Sequence, residues 1–234
     1  GLVIVDEEHE SSFTQKEPAP RYNGRDAAIM LGKMSGAKIL LGSATPSFES
    51  YQNALSGKYG FVQLTTRYGE VMMPELLFVD MKEYRRKKMM KGSFTPVLYE
   101  EMKRVLENGM QVILFQNRRG YSTYLQCDRC GSILAKFRAL IDDFESGNLD
   151  VLIGTQMVSK GLDFERVKLV GVMDADSLMG FPDFRAEERA YDMLMQVSGR
   201  SGRKGERGKV VIQVTDMQSR VYQLVRKENY REFY

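Results

Sequence analysis

The sequence predicts an α/β protein of two lobes, each built on a mostly parallel sheet. Two observations lead there. Short apolar runs alternate with segments of helical periodicity along the whole chain, the pattern of successive strand–helix units. Several of these runs end in carboxylates, glycines or hydroxyl residues, as strands do where a parallel sheet binds a ligand.

LVIV, Leu2–Val5, is a strand running straight into the acids of DEEH. Arg25–Ser35 follows as a helix, Lys38–Leu41 as a second strand closed by a Gly-Ser turn, and Phe48–Ser56 as a helix ended by Gly57. ELLFVD, Glu75–Asp80, is a third strand. The basic run YRRKKMMKGS after it has the composition of a solvated linker, although its cations suit phosphates too. Pro96–Asn108 is a helix with Gly109 at its end, and QVILFQN is the next strand. A helix over Ala135–Ser146, strands in DVLIGTQ and VKLVGVMDAD, a helix over Glu187–Ser198, a strand at Lys209–Asp216 and a terminal helix within Ser219–Tyr234 complete the series. The resulting division is a first lobe at 1–80, a linker at 81–93 and a second lobe at 94–234. Domains seldom begin at the first residue of a buried strand, so Gly1 is expected to lie inside a larger domain.

Composition narrows the functional classes. The 234 residues are 43% hydrophobic and 28% charged, which suits a globular protein, and no apolar run approaches the roughly 20 residues that span a bilayer. A cytoplasmic setting without membrane partners is expected. Two cysteines are too few for a disulfide scaffold. A net charge of only +3 means that an anionic partner is met by local patches.

Five segments carry chemistry. In DEEH, Asp6 is placed to hold Mg²⁺, Glu7 to orient or deprotonate a water, and His9 to couple that centre to its surroundings; a solvated acidic turn is the plain alternative. In GSAT, Ser43 and Thr45 can bond carboxylates or phosphates, or simply cap the next helix. In QVSGRSGR, two Gly-Arg pairs at a helix end present Arg200 and Arg203 in the manner of an arginine finger, or as cations at a helix C-terminus. In GTQMVSKGLDF, Thr155, Gln156 and Lys160 offer donors to phosphates. In QNRRGYS, Arg118 and Arg119 with Tyr121 suit a single strand, through phosphate contact and base stacking. Either of the last two is also acceptable as a polar loop.

DEEH, GSAT, GTQ…KG and QxxGRxGR, in that order, resemble motifs II, III, V and VI of the superfamily-2 helicases, whose lobes are RecA-like. The longer runs GLVIVDEEHESSFTQKEPAPRYNGRDAA, ILLGSATPSFES and DFRAEERAYDMLMQVSGRSGR are similar to the primosomal protein N′ (PriA) family of replication-restart helicases, over nearly the whole chain. The resemblance implies a partial first lobe followed by the second lobe of an ATP-dependent 3′→5′ DNA helicase. It further implies forked and single-stranded DNA, primosome proteins and single-stranded-DNA-binding protein as partners, in a bacterial, nucleoid-associated setting. By the same resemblance, Asp6 and Glu7 are the Mg²⁺ and water residues, and Glu8 and His9 complete the nucleotide motif. Gly154, Thr155, Lys160 and Gln196 join the nucleotide contacts, with Gln156 toward the strand. Arg200 or Arg203 is the finger, Arg203 favoured. Phe13, Arg21, Tyr22 and Arg25 belong to the family's strand-sensing loop.

Two departures from the family pattern matter. The chain contains no G-x-x-x-x-G-K-[ST] phosphate loop, so it is expected not to hydrolyse ATP by itself. The family's zinc module is represented only by Cys127 and Cys130, near 127–134, which is half a tetrahedral site. The sequence passes from CDRC almost directly to helix residues, so a stretch is expected to be missing between Gly131 and Ala135. Three rivals remain: a non-catalytic module binding DNA forks or partners, another superfamily-2 nucleic-acid translocase, and a metal-dependent hydrolase. The last is poorly served by a chain with one histidine.

Overall fold

The computed structural model describes residues 1–15, 17–64, 73–117, 137–155, 164–180, 182–199 and 207–234, with side chains at 137 and 138 left aside. The chain divides into two compact units, Gly1–Thr65 with Tyr234, and Thr66–Phe233. Among the described residues, no helix is long and apolar enough to cross a membrane.

In the first unit, β1 (Leu2–Val5) and β2 (Lys38–Leu41) pair in parallel, Val3 opposite Ile39 and Val5 opposite Leu41. Parallel neighbours need a crossover, and α1 (Gly24–Met34) supplies it. The Asn23 side chain caps α1 by accepting from Asp26 N at 3.2 Å. α1 lies so close to β2 that a Cβ on Gly32 would meet Ile39 Cγ1 at 2.5 Å, which explains a glycine inside this helix. α2 (Phe48–Leu55) follows, capped by Ser47. Leu2 and Ile4, both 61% exposed, and Leu40 at 56% share the sheet face opposite Ile39. Strand alternation therefore puts Val3, Val5, Ile39 and Leu41 toward α1 and leaves Leu2, Ile4 and Leu40 exposed on the other face among the described residues.

The second unit runs β3 (Glu75–Asp80), α3 (Met81–Arg86), α4 (Pro96–Glu107), β4 (Gln111–Phe115), α5 (Phe137–Glu145), β5 (Val151–Gly154), β6 (Val167–Val172), α6 (Ala186–Ser198), β7 (Lys209–Val214), α7 (Arg220–Lys227) and α8 (Tyr230–Phe233). Its sheet has the order β3-β7-β6-β4-β5, and every pairing is parallel. β4 is buried at all of its positions, as a strand must be when both sheet faces are covered. On one face Leu98 and Val105 of α4 join Val79, Val112, Leu114, Leu169 and Val211 in a single core. On the other, Phe78 of β3 meets Tyr222 of α7 with ring centroids 5.7 Å apart. Gly171 lets α4 sit down on β6, since a Cβ there would lie 2.7 Å from Leu114 Cδ2 and 2.9 Å from Leu98 Cδ1.

Three features depart from the sequence-based expectation. β3 does not close the first lobe: it pairs with β7 along its whole length, from Glu75–Lys209 to Asp80–Val214, and so belongs to the second unit. The reason is non-local, because its partner lies far along the chain and nothing near ELLFVD signals it. The expected linker is largely folded. Asp80 accepts from Lys82 N at 2.7 Å and Glu83 N at 3.4 Å, which starts α3, and Lys91 and Phe94 exchange backbone hydrogen bonds before α4. The terminal helix breaks at Glu228, whose φ of +52° is left-handed, and Asn229 recaps α8 by accepting from Glu232 N at 3.0 Å. The expected start of α5 at Ala135 and the junction at 131–135 lie outside the described residues.

A buried amide ties this unit together. Gln213 of β7 is fully buried, accepts from Thr95 N at 2.7 Å, and donates to the carbonyls of Ser93 at 2.9 Å and Met173 at 2.8 Å. Gln213→Leu would keep the bulk and strand these buried backbone groups. It is expected to cost about 3 kcal/mol, read as a lower urea midpoint at unchanged slope.

Candidate functional site

The DEEH turn begins where β1 ends. Gly42 N donates to Val5 O at 2.9 Å and Glu8 N donates to Gly42 O at 3.0 Å, so this turn is stitched to the GSAT turn after β2. Glu7 takes a φ of +49°, uncommon for any residue but glycine, and its N–H donates to Asp6 Oδ1 at 3.0 Å. A Cβ on Gly42 would lie 3.2 Å from Asp6 Oδ1, so the glycine keeps space beside that carboxylate.

The four residues of DEEH divide into two exposed and two enclosed. Asp6 and Glu7 face solvent. Glu8 is 2% exposed, and its oxygens are taken up within the unit. Oε1 accepts from Ser47 N at 2.6 Å, while Oε2 accepts from Ser50 Oγ at 2.9 Å, Arg25 Nη1 at 3.0 Å and Ser47 Oγ at 3.1 Å. Glu8, expected as a nucleotide contact, is in this structure an inner anchor for the start of α2 and the first turn of α1. Arg25, expected in the strand-sensing loop, has its guanidinium turned inward, with Nη1 also donating to Ser47 Oγ at 2.6 Å and Nε to Asp26 at 2.8 Å. Burial alone would lower the Arg25 pKa, but Asp26 and Glu8 outweigh it and hold the guanidinium above its ordinary value.

His9 is the second enclosed member, its side chain only 4% exposed. Nδ1 lies 2.6 Å from Ser43 Oγ, and Glu7 Oε2 stands 3.7 Å from the same nitrogen. Ser43 Oγ also accepts from Thr45 N at 3.0 Å. Glu7, His9, Ser43 and Thr45 thus form one line across the ends of both strands. Thr45 Oγ1 is buried with no hydrogen-bond partner among the described residues.

The segment after this turn forms a closed loop. Thr14 bridges Asn23, Gln15 N donates to Tyr22 O at 2.9 Å, and Gln15 Nε2 donates to Pro18 O at 2.8 Å and Pro20 O at 3.2 Å. The loop leaves Arg21 and Tyr22 outside, with Tyr22 52% exposed, beside a shallow cavity of about 440 Å³. Phe13 is half-buried at its base.

In the second unit, Gly154 and Thr155 stand at the carboxyl end of β5, and Gln196 is half-buried on α6. Arg118, Arg119, Tyr121, Cys127, Cys130, Gln156, Lys160, Arg200 and Arg203 lie outside the described residues. Asn117 at the end of β4 donates to Ser177 O at 3.1 Å. Asp176 accepts from Thr215 N at 2.5 Å, from the Thr215 hydroxyl, and from Tyr222 OH at 3.0 Å. Burial and then the Asp176 charge push the Tyr222 phenol well above its usual range, so it serves as a fixed donor. Ser50, Asp176 and Gln213 carry no sequence signal beyond being polar.

Among the described residues no three His, Cys, Asp or Glu side chains gather as a metal cage. Magnesium does not need one, since it commonly takes one or two carboxylates together with phosphate oxygens and water. The exposed Asp6 fits that role. Zinc does not fit, because the chain has only two cysteines and a closed structural site needs four ligands.

Residues 97–205 match the helicase conserved C-terminal domain. Over its whole length the chain is 32% identical to the replication restart protein PriA of Bacillus subtilis, covering 38% of that protein. It is 31% identical to the PriA of Synechocystis, again over 100% of this chain and 38% of the relative. The chain belongs to the PriA family. It spans 38% of the length of these two PriA proteins. The alignment with the Bacillus PriA runs over 309 positions against 234 residues here, so at least 75 positions have no counterpart in this chain. Among solved structures, yeast Dbp5 L327V bound to RNA and ADP BeF3 superposes with a TM-score of 0.57 at 18% identity, over 97% of this chain and 56% of that one. RecG bound to a three-way DNA junction gives 0.51 at 17% identity, over 97% of this chain and 27% of that one. The PriA segment therefore has the α/β fold of RecA-like helicase lobes.

Proposed function

We propose that this PriA segment is part of an ATP-driven DNA helicase that moves 3′→5′ and acts in replication restart and primosome assembly at stalled forks. The observation that carries the proposal is the His9–Ser43 contact at 2.6 Å, which joins the turn bearing the two exposed acids to the turn after the neighbouring strand. A hydrolytic change at Asp6 and Glu7 is thereby felt one strand away. In this scheme Asp6 holds Mg²⁺ and Glu7 orders the attacking water. Mg²⁺ supplies charge neutralisation at the phosphates. Arg200 or Arg203 meets the γ-phosphate, and Gly154, Thr155, Lys160 and Gln196 contribute on the nucleotide side. Gln156, Arg118, Arg119 and Tyr121 join Arg21 and Tyr22 on the strand, and primosome proteins and single-stranded-DNA-binding protein are the protein partners. The phosphate cradle comes from a P-loop outside this sequence. In this reading the family's zinc module belongs to a stretch missing between Gly131 and Ala135; the alignment with the Bacillus PriA is longer than this chain, which leaves room for such a stretch.

Two measurements on the 234-residue chain test this. A malachite-green assay is expected to show no DNA-stimulated phosphate release, and clear turnover would refute the assignment of the cradle to a separate P-loop. A labelled oligothymidine is expected to bind, and Tyr22→Ala is expected to weaken it about tenfold, given about 1–3 kcal/mol for each stacked base. Equal binding by both proteins would remove the loop from the strand interface.

A further inference from the structure

We propose that Phe184 and Arg185 form a stacking platform for a nucleobase at the carboxyl end of the second sheet. The chain leaves β6 at that end and reaches the start of α6 through the loop that holds both residues, on the side where α/β sheets take their ligands. Phe184 is 91% exposed. An exposed phenylalanine is unremarkable by itself. Here, however, the loop is braced to keep it in place. Asp183 accepts from Arg185 N at 2.9 Å and from Arg189 Nη1 at 2.8 Å, and its carbonyl accepts from Ala186 N at 2.9 Å. These bonds fasten the loop to the first turn of α6, so that Phe184 stands out from an ordered base.

The second component is the guanidinium. Arg185 stands over the Phe184 ring at 5.2 Å from its centroid, and its Nη1 donates to Glu188 Oε2 at 3.4 Å. Glu188 is 8% exposed, so the arginine is steadied from below. An aromatic face backed by a guanidinium is the pairing on which unstacked bases settle, through π contact and cation–π attraction.

The shared chemistry is a nucleobase, which either single-stranded DNA or the free nucleotide can provide. The strand assignment rests on the helicase function proposed above. The test uses the 234-residue chain with two fluorescent probes, an oligothymidine carrying one 2-aminopurine and free 2-aminopurine riboside triphosphate. Stacking quenches 2-aminopurine. Quenching of the oligonucleotide by the wild type, lost about tenfold in affinity in Phe184→Ala and kept in Phe184→Trp, supports a strand platform. The same pattern with the triphosphate alone supports a nucleotide platform. Thermal melting of Phe184→Ala is expected to match the wild type, because the ring is exposed. Oligonucleotide binding and quenching unchanged in Phe184→Ala would overturn the platform and leave the helicase proposal standing. No binding of either probe by the wild type would overturn the platform and the strand interface together.

Discussion

Replacing Glu8 by alanine is expected to destabilise the first unit by about 3 kcal/mol, because it removes the buried one of the two carboxylates on the enclosed Arg25 guanidinium and leaves only the exposed Asp26. The side chains of Glu8 and Arg25 are 1% and 11% exposed, so solvent compensates little of the loss. Ser47 N, Ser47 Oγ and Ser50 Oγ lose their acceptor in the same step. Hydrogen exchange should show β1 and the start of α2 losing protection first, since Glu8 is the residue joining them. Glu8→Gln retains the shape and one acceptor, and should fall between wild type and alanine. Glu7→Ala, one residue away, should change stability by no more than about 0.5 kcal/mol, as expected at an exposed position. Equal destabilisation by the two alanine variants would show that Glu8 is not the anchor.

Glu7→Gln has the opposite signature. Under the proposed function, in the full-length protein, it is expected to leave DNA and nucleotide binding within twofold of wild type and to lower DNA-stimulated hydrolysis at least about a hundredfold. That is the lower range of what a positioned general base contributes. Phosphate release and fluorescent-nucleotide binding measured side by side separate the two effects. A variant that loses nucleotide binding in proportion to hydrolysis would place Glu7 in binding and not in water activation. The pair of adjacent glutamates thus offers a clean contrast, Glu8 expected to act on folding and Glu7, under the proposed function, on chemistry.

Much of this was legible from residue order. The strands at Leu2–Val5, Lys38–Leu41 and Gln111–Phe115 stand where their apolar runs place them. The caps at Asn23, Ser47 and Thr95 precede helices whose start signals are local. The motif run from DEEH to QxxGRxGR was sufficient to reach the family. In DEEH itself, however, four polar residues in a row carry no sign of which will be enclosed. Glu8 turns inward because Ser47, Ser50 and Arg25 meet it from α2 and α1, and those partners lie 17 to 42 residues away.

The sequence alone determined the succession of strands and helices, the ligand-bearing strand ends and the kinship with PriA, because periodicity, capping and motif spacing act over a few residues. The tertiary structure alone decided that β3 joins β7, that Glu8 and Arg25 face each other in the interior, and that Gln213 fastens the start of α4. Each of these depends on a hydrogen-bond partner brought from far along the chain. The free energy of burying a polar group depends on whether such a partner arrives, and local sequence does not encode that.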